Sequence, residues 1–491
     1  MISLMLSDIA QAIGGELIGT DVKVDQVFID SRIDNSQIVR KKALFVALKG
    51  PHFDAHNFVE QVADDGVAGF VVEKRFELNI PQILVKNTRI ALAEIARLNR
   101  QKSSAEFIAI TGSSGKTTVK EMIASILSLS GPTFATKGNL NNDIGVPLTL
   151  LDIDEKVQFG VVELGANHAG EVAFTADIVQ PNIALVNNVS AAHLQGFGDV
   201  QGVARAKAEI YSSLGPNGVA IVNADDEYSS FFDSKIEGQK LSFSVESTAD
   251  VFASEIEMNE DQSTRFTLNY LQQQMTVELP LVGQHNVLNA LAAASCCIAN
   301  GIPLKQIAQG LAKTPKVAGR LIVKNLDNGC RIIDDSYNAN VASMKAAIDL
   351  LKNYSAPKIL VLGDMAELGE FGRQCHEQIG EYAANTGIDI LYSCGVLTQF
   401  SQLAFARTQA GIENNAPKSE SNGNHFTSQK ELIIKLKNEA NAGATLLIKG
   451  SRSAHMENIV NALIECTSID YSDNNHSNPT EQSAASHKGD Q

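Results

Sequence analysis

Thr111-Gly112-Ser113-Ser114-Gly115-Lys116-Thr117-Thr118 sets glycines, a lysine and a run of hydroxyls in an order suited to holding phosphate. The segment follows a compact apolar stretch at 107–110. It precedes a stretch in which Met122, Ile123, Ile126 and Leu127 share one helical face. A strand, a glycine turn and a helix N-terminus aim several backbone N–H groups and the positive end of a helix dipole at one anion. In that setting Lys116 reaches the β- and γ-phosphates of a nucleoside triphosphate and the Thr117 hydroxyl ligates Mg²⁺. The spacing departs from the commonest form, because Ile110 stands five positions before Gly115 where a glycine is usual. The match is to a shorter Thr-Gly-x-x-Gly-Lys-Thr-Thr loop.

Other residues could carry chemistry beside it. Glu163 closes a second apolar stretch, and a carboxylate at a strand's C-terminal end suits a further Mg²⁺ ligand; alone it reads equally as a solvated loop carboxylate. His193 follows a third buried stretch, and by spacing it is a hydrogen-bonding residue rather than a ligand. Lys207, in Ala204-Arg205-Ala206-Lys207-Ala208-Glu209, reads by itself as a helix-surface lysine. Asp334-Asp335-Ser336-Tyr337-Asn338-Ala339-Asn340 and Lys449-Gly450-Ser451-Arg452 each follow an apolar strand, at the sheet mouth where ligands of α/β proteins bind. Lys449 and Arg452 suit a carboxylate or phosphate. Cap and turn chemistry would use the same Asp, Ser, Asn and Gly residues.

These residues need a scaffold, and the chain alternates strand and helix patterns along most of its length. Strands are expected at 43–48 and 69–72 with a helix around 58–63. Further strands are expected at 107–110, 159–164, 183–186 and 219–222, with intervening helices, which is the pattern of a parallel sheet with crossovers. A β-rich interlude spans 240–282 and a helix starts near Asn286. Strands at 331–333, 359–362, 388–392 and 445–448 then predict a second doubly wound sheet whose strand order is not readable. The division that follows is 1–80, 81–315 and 316–465. A surface excursion is expected at 409–428 and a disordered tail at 466–491, where Ser, Asn, Asp, His and Gln dominate.

A chain of 491 residues exceeds one ordinary core. Its net charge of -16 argues against nucleic acid as a partner, since that binding rests on clustered cations. The 6 cysteines form no C-x-x-C pair and suit reduced thiols in buried positions. The first residues are apolar but lack a basic flank, and Asp8 and Glu16 interrupt them; they read as an amphipathic first helix rather than a secretion signal. No apolar run approaches the ~20 residues that cross a bilayer. A cytoplasmic protein without membrane insertion is expected.

Residues 111–118, Glu163-Leu164-Gly165-Ala166, Gly283-Gln284-His285-Asn286, Gly319-Arg320 and Asp335-Ser336 resemble, in order, the signature blocks of the Mur ligases. Residues 138–147, 334–340 and 363–369 resemble the branch of that family that adds a dipeptide. Asp30-Ser31-Arg32, 45–50 and Asp54-Ala55-His56 resemble its substrate-binding N-terminal domain. The resemblance implies an α/β, three-domain Mur ligase architecture with a central P-loop ATPase domain and a C-terminal Rossmann-like domain. It implies ATP-dependent joining of D-alanyl-D-alanine to UDP-N-acetylmuramoyl-tripeptide through an acyl phosphate. A monomer is expected.

Residue by residue, the resemblance gives Gly112, Ser113, Ser114, Gly115, Lys116, Thr117 and Thr118 to ATP, with Asn286, Arg320 and Asp335 at its adenine nucleotide end. Thr117 and Glu163 would hold one Mg²⁺. His193 and a carbamylated Lys207 would hold a second. Asn338, Lys449 and Arg452 would lie near the dipeptide and acyl phosphate, and Ser31 and Arg32 near the UDP end. Val341 departs from the proline common among relatives after Asn-Ala-Asn. The nearest rivals are a sibling ligase adding one amino acid, a folylpolyglutamate synthase, and a nucleotide-binding scaffold without catalysis. An Asp-Asn-Pro-Arg motif, expected of the sibling that adds the third residue, does not occur.

Overall fold

The computed structural model describes residues 1–32, 38–259, 263–411 and 423–469. They form two compact units. One holds Met1–Val317 with Asn340–Ala346 and Ala366–Cys375; the other holds Ala318–Ala339, Ala347–Met365 and the described residues from His376 onward.

In the first unit the helix Leu6–Ile13 buries Leu6, Ile9 and Ala10 and ends at Gly14, whose φ of 62° suits a residue without Cβ. The expected amphipathic first helix is this one, preceded by a short strand Leu4–Met5 that pairs antiparallel with Lys23–Val24. A five-stranded sheet follows in the order Glu16–Ile18, Gln82–Leu84, Gly69–Val72, Ala43–Val46, Gln26–Phe28. Phe28, Phe45 and Phe70 fill its core, with ring centroids 5.0 and 6.2 Å apart along the row. The 43–48 strand stops at Val46, and Lys49 then bridges to Asp54 and turns the chain. The strand Gln82–Leu84 belongs to this sheet, so a division drawn at residue 80 runs through it.

The same unit holds a nine-stranded sheet, in the order Gln273–Leu279, Thr264–Tyr270, Val251–Met258, Gln239–Ser244, Val219–Asn223, Ile183–Val186, Glu106–Thr111, Phe159–Glu163, Thr133–Ala135. From Thr133–Ala135 to Val251–Met258 the pairing is parallel; the last three strands form an antiparallel meander. The 240–282 interlude is thus part of the main sheet. The strand Glu106–Thr111, apolar and buried from Phe107 on, lies between Phe159–Glu163 and Ile183–Val186. Three carboxyl ends therefore emerge side by side, where ligands of parallel sheets bind. The helices Lys116–Leu127 and Gln284–Ala299 pack together over one face through Val119, Met122, Ile126, Val287, Ala290 and Leu291.

The second unit has a six-stranded sheet ordered Ile322–Asn325, Arg331–Asp335, Thr445–Lys449, Lys358–Gly363, Ile390–Cys394, His425–Phe426. Only the first pair is antiparallel. The 388–392 strand lies two residues later than expected. The 409–428 excursion starts at the last residue of the helix Thr398–Gln409 and returns as the edge strand His425–Phe426, paired with Ser393 and Cys394; residues 412–422 lie outside the described residues. The helix Glu457–Ile469 continues past the expected start of the tail, and 470–491 lie outside the described residues. Cys296, Cys297, Cys330, Cys375 and Cys394 are buried free thiols.

Candidate active site

The phosphate loop joins the strand Glu106–Thr111 to the helix Lys116–Leu127. Gly115 has φ +76°, and a Cβ there would sit 2.5 Å from Asn289 Oδ1 and 2.6 Å from Asn187 Nδ2. Only glycine fits this position. Lys116 Nζ donates to Gly112 O at 2.7 Å, so the cation curls over the loop it would use to hold phosphate. Thr117 Oγ1 donates to Glu163 Oε2 at 3.0 Å, and Asn141 Nδ2 donates to Glu163 Oε1 at 2.8 Å. The Glu163 N–H donates in turn to Thr136 Oγ1 at 2.9 Å, and buried Lys120 donates to Thr136 O at 2.6 Å. The carboxylate is therefore held from two neighbouring elements.

The loop is also gripped from the Ile183–Val186 side. Ser113 N–H donates to Asn188 O at 3.0 Å, and Ser113 Oγ donates to Ser190 O at 3.2 Å. Ser114 N–H donates to Asn188 Oδ1 at 2.9 Å. Both Asn187 Nδ2 and Asn188 Nδ2 donate to Ser114 O, at 3.0 and 3.2 Å. Asn187 Nδ2 also donates to Asn289 Oδ1 at 3.0 Å, Asn289 Nδ2 to Asn286 Oδ1 at 3.2 Å, and Asn286 Nδ2 to Val282 O at 2.9 Å. Asn286, expected at the nucleotide, is buried in this relay. Asn223 Nδ2 donates to Asn187 O at 3.0 Å, and Asp226 Oδ2 accepts from Val189 N–H at 2.7 Å. Burial raises the Asp226 pKa above the usual carboxylate range.

Lys207 is 2% exposed, not on the helix surface that its spacing suggests. Desolvation, with the nearby Lys116 charge adding to it, pushes its pKa well below the ordinary 10.5. No carboxylate pairs with it among the described residues. His193 adopts φ 54°, ψ 32° ahead of the short helix Leu194–Phe197, and its imidazole pairs with Glu367 of the same unit. That hydrogen bond holds the Glu367 carboxyl below its usual range. Among the described residues no group of three or more His, Cys, Asp or Glu could hold a metal.

In the second unit Asp335 and Lys449 end adjacent strands in register, and their side chains pair at 2.5 Å. Lys449 Nζ also donates to Asn338 O at 2.9 Å, so its charge is committed within the protein. Burial raises the Asp335 pKa, while Lys449 opposes the shift. Asp335 Oδ1 accepts from Leu321 N–H at 3.2 Å. Arg320 and Arg452 lie 4.5 and 5.8 Å from the Tyr337 ring, and Arg452 also pairs with Glu457 at 3.0 Å. Asn338 folds its side chain onto Ala339 N–H at 2.8 Å.

Ser31 and Arg32 lie in a turn after the Gln26–Phe28 strand. Arg32 grips Asp30 through Nε at 2.9 Å and Nη2 at 2.8 Å, which holds the Asp30 pKa down at about 2.

Sequence reasoning missed Asn187, Asn188, Asn289, Asn141 and Glu367. The paired asparagines at a strand's carboxyl end were their available signal. Two parallel-sheet units and this loop define a P-loop nucleotide-binding enzyme architecture. The Mur ligase middle domain family matches residues 110–297, and the Mur ligase, glutamate ligase domain family matches residues 319–452. The UDP-N-acetylmuramoyl-tripeptide–D-alanyl-D-alanine ligase of Escherichia coli (strain K12) is 44% identical over 469 residues, covering 95% of this chain and 99% of that one. The structure of MurF from Acinetobacter baumannii superposes with a TM-score of 0.86 at 36% identity, covering 94% and 99%. MurF from Thermotoga maritima in complex with ADP gives 0.77 at 25% identity, covering 91% and 98%. The chain belongs to the Mur ligase family.

Proposed function

We infer that the chain ligates D-alanyl-D-alanine to UDP-N-acetylmuramoyl-tripeptide with consumption of ATP, a step in making peptidoglycan precursor. The observation that carries this reading is the 44% identity to the E. coli ligase over nearly all of both chains. The phosphate loop and its Glu163 partner agree with it.

A carboxylate is a poor acyl donor, because its leaving group would be oxide. Attack of a tripeptide carboxylate oxygen on the γ-phosphorus forms an acyl phosphate and releases ADP. The dipeptide amine then attacks the acyl carbon, phosphate leaves with the bonding pair, and the amine proton passes to base. Both steps gather negative charge, so the loop N–H groups and Lys116 act by stabilising it.

Thr117 and Glu163 form an all-oxygen pair of the kind Mg²⁺ takes, and they would hold it. Magnesium when bound offsets phosphate charge. A second Mg²⁺ at His193 fits through Lys207 chemistry: a neutral amine offers no oxygen, but reaction with CO₂ gives a carbamate anion and a proton. The depressed Lys207 pKa supports that reaction, since only the free amine is nucleophilic.

The finer assignments belong to the same reading. ATP would use residues 112–118 with Asn286, Arg320 and Asp335. Asn338, Lys449 and Arg452 would serve the dipeptide end, and Ser31 and Arg32 the UDP end. Three segments, the first extended to Leu84 so that its sheet stays whole, the second running to 315 and the third to 465, would take the three substrate parts, in a cytoplasmic monomer.

The acyl-phosphate route is tested with ¹⁸O in the tripeptide carboxylate. Label in the released phosphate supports it, and label found only in the peptide product refutes it.

A further inference from the structure

We propose that Asn187 and Asn188 are positioning residues that set the phosphate loop by gripping Ser114 at both its N–H and its carbonyl. Asn188 Oδ1 takes the Ser114 N–H at 2.9 Å and the Ser114 hydroxyl at 3.2 Å. The two side-chain amides converge on Ser114 O at 3.0 and 3.2 Å. A peptide group is planar and trans, so fixing the Ser114 carbonyl fixes the Gly115 N–H on the opposite side. That N–H opens the first turn of the helix Lys116–Leu127, where the backbone donors have no acceptor within the helix itself. Ser114's own N–H is spent on Asn188, so the anion is left to the donors that follow it.

The clamp is itself rigid. Asn187 is 1% exposed, its backbone carbonyl is tied by Asn223, and its side chain continues into Asn289 and Asn286 on the helix Gln284–Ala299. The amide orientations are mutually consistent along this relay, because each donor ends on an acceptor and the last ends on Val282 O. Asn187 Oδ1 is buried with no partner. An unsatisfied buried oxygen costs stability, and such a residue persists where its donors do work that an apolar residue could not.

This proposal rests on the phosphate-binding reading of the loop, and the experiment separates the two. ADP and ATP binding, and binding of the UDP-linked substrate, are measured on the full chain by calorimetry. The proteins are wild type, Asn187→Ala, Asn188→Ala, the double variant, and Asn188→Asp. Steady-state kinetics with each substrate varied accompany the binding. Either amide alone can still hold Ser114 O, so each single variant weakens nucleotide binding about tenfold, and the double loses more than the product of the two. Asn188→Asp keeps the acceptor for Ser114 N–H but not the donor, and its KM for ATP rises while the KM of the other two substrates stays within about twofold.

Nucleotide affinity unchanged in the variants overturns the proposal. So does an equal loss for nucleotide and UDP-linked substrate, which marks a purely structural role. If the double variant does not fold, the single variants and Asn188→Asp decide by the same criteria. Wild type failing to bind ADP would instead refute the phosphate-loop reading itself.

Discussion

Thr117 Oγ1 donates to Glu163 Oε2 at 3.0 Å, tying the first turn of the phosphate-loop helix to the carboxyl end of the neighbouring strand. The parallel register sets Glu163 against Ile110, one residue before the loop begins. Glu163→Gln keeps the shape and the Asn141 contact region but removes the charge. It should lower kcat/KM by about a hundredfold or more while leaving the melting temperature nearly unchanged, since metal-assisted charge stabilisation is worth several kcal/mol. Phosphate-release kinetics with thermal melting check this.

Gly115→Ala should abolish nucleotide binding. The added Cβ meets Asn289 Oδ1 at 2.5 Å and Asn187 Nδ2 at 2.6 Å, and the φ of +76° strains any side chain. ADP titration on folded variant protein is the measurement.

Lys207 makes stability pH-dependent with a definite sign. Its folded pKa lies well below 10.5, so between the two values the unfolded chain binds the proton that the folded protein has lost. Stability then rises with pH across that window, by up to about 1.4 kcal/mol per pH unit. Urea midpoints in CO₂-free buffer should rise with pH for wild type and flatten for Lys207→Met. Adding bicarbonate should raise wild-type activity and not that of the variant.

Lys449→Met should destabilise the second unit by about 3–5 kcal/mol, because it leaves Asp335 buried without its partner. Lys449→Met combined with Asp335→Asn should recover part of that loss. Urea denaturation of all three proteins reads the coupling.

The loop 111–118 was legible because its chemistry is local: strand, turn and helix follow one another in eight residues. The strands 69–72 and 183–186 were equally plain from their unbroken apolar runs. The order of either large sheet was not, since it depends on crossovers and not on any one segment. Lys207 looked like a surface lysine because its neighbours supply charges at helical spacing; its burial comes from packing around the helix Val200–Ala208. Asn187, Asn188 and Asn289 act only once a strand end, a loop and a helix 102 residues apart in the chain meet. Asn286 was found for its motif, but its buried relay contacts could not be read from it. The first helix was legible from its amphipathic pattern, but the strand Leu4–Met5 before it was not, since it pairs with a strand that itself has only two residues.

The measurement that tests the central claim most directly is phosphate release from ATP with Mg²⁺, UDP-N-acetylmuramoyl-tripeptide and D-alanyl-D-alanine, omitting each substrate in turn and weighing the product. Release that needs all three, with a product heavier than the tripeptide substrate by one dipeptide less water, is the expected result. Release supported by a single amino acid in place of the dipeptide, or no release under any combination, would contradict it.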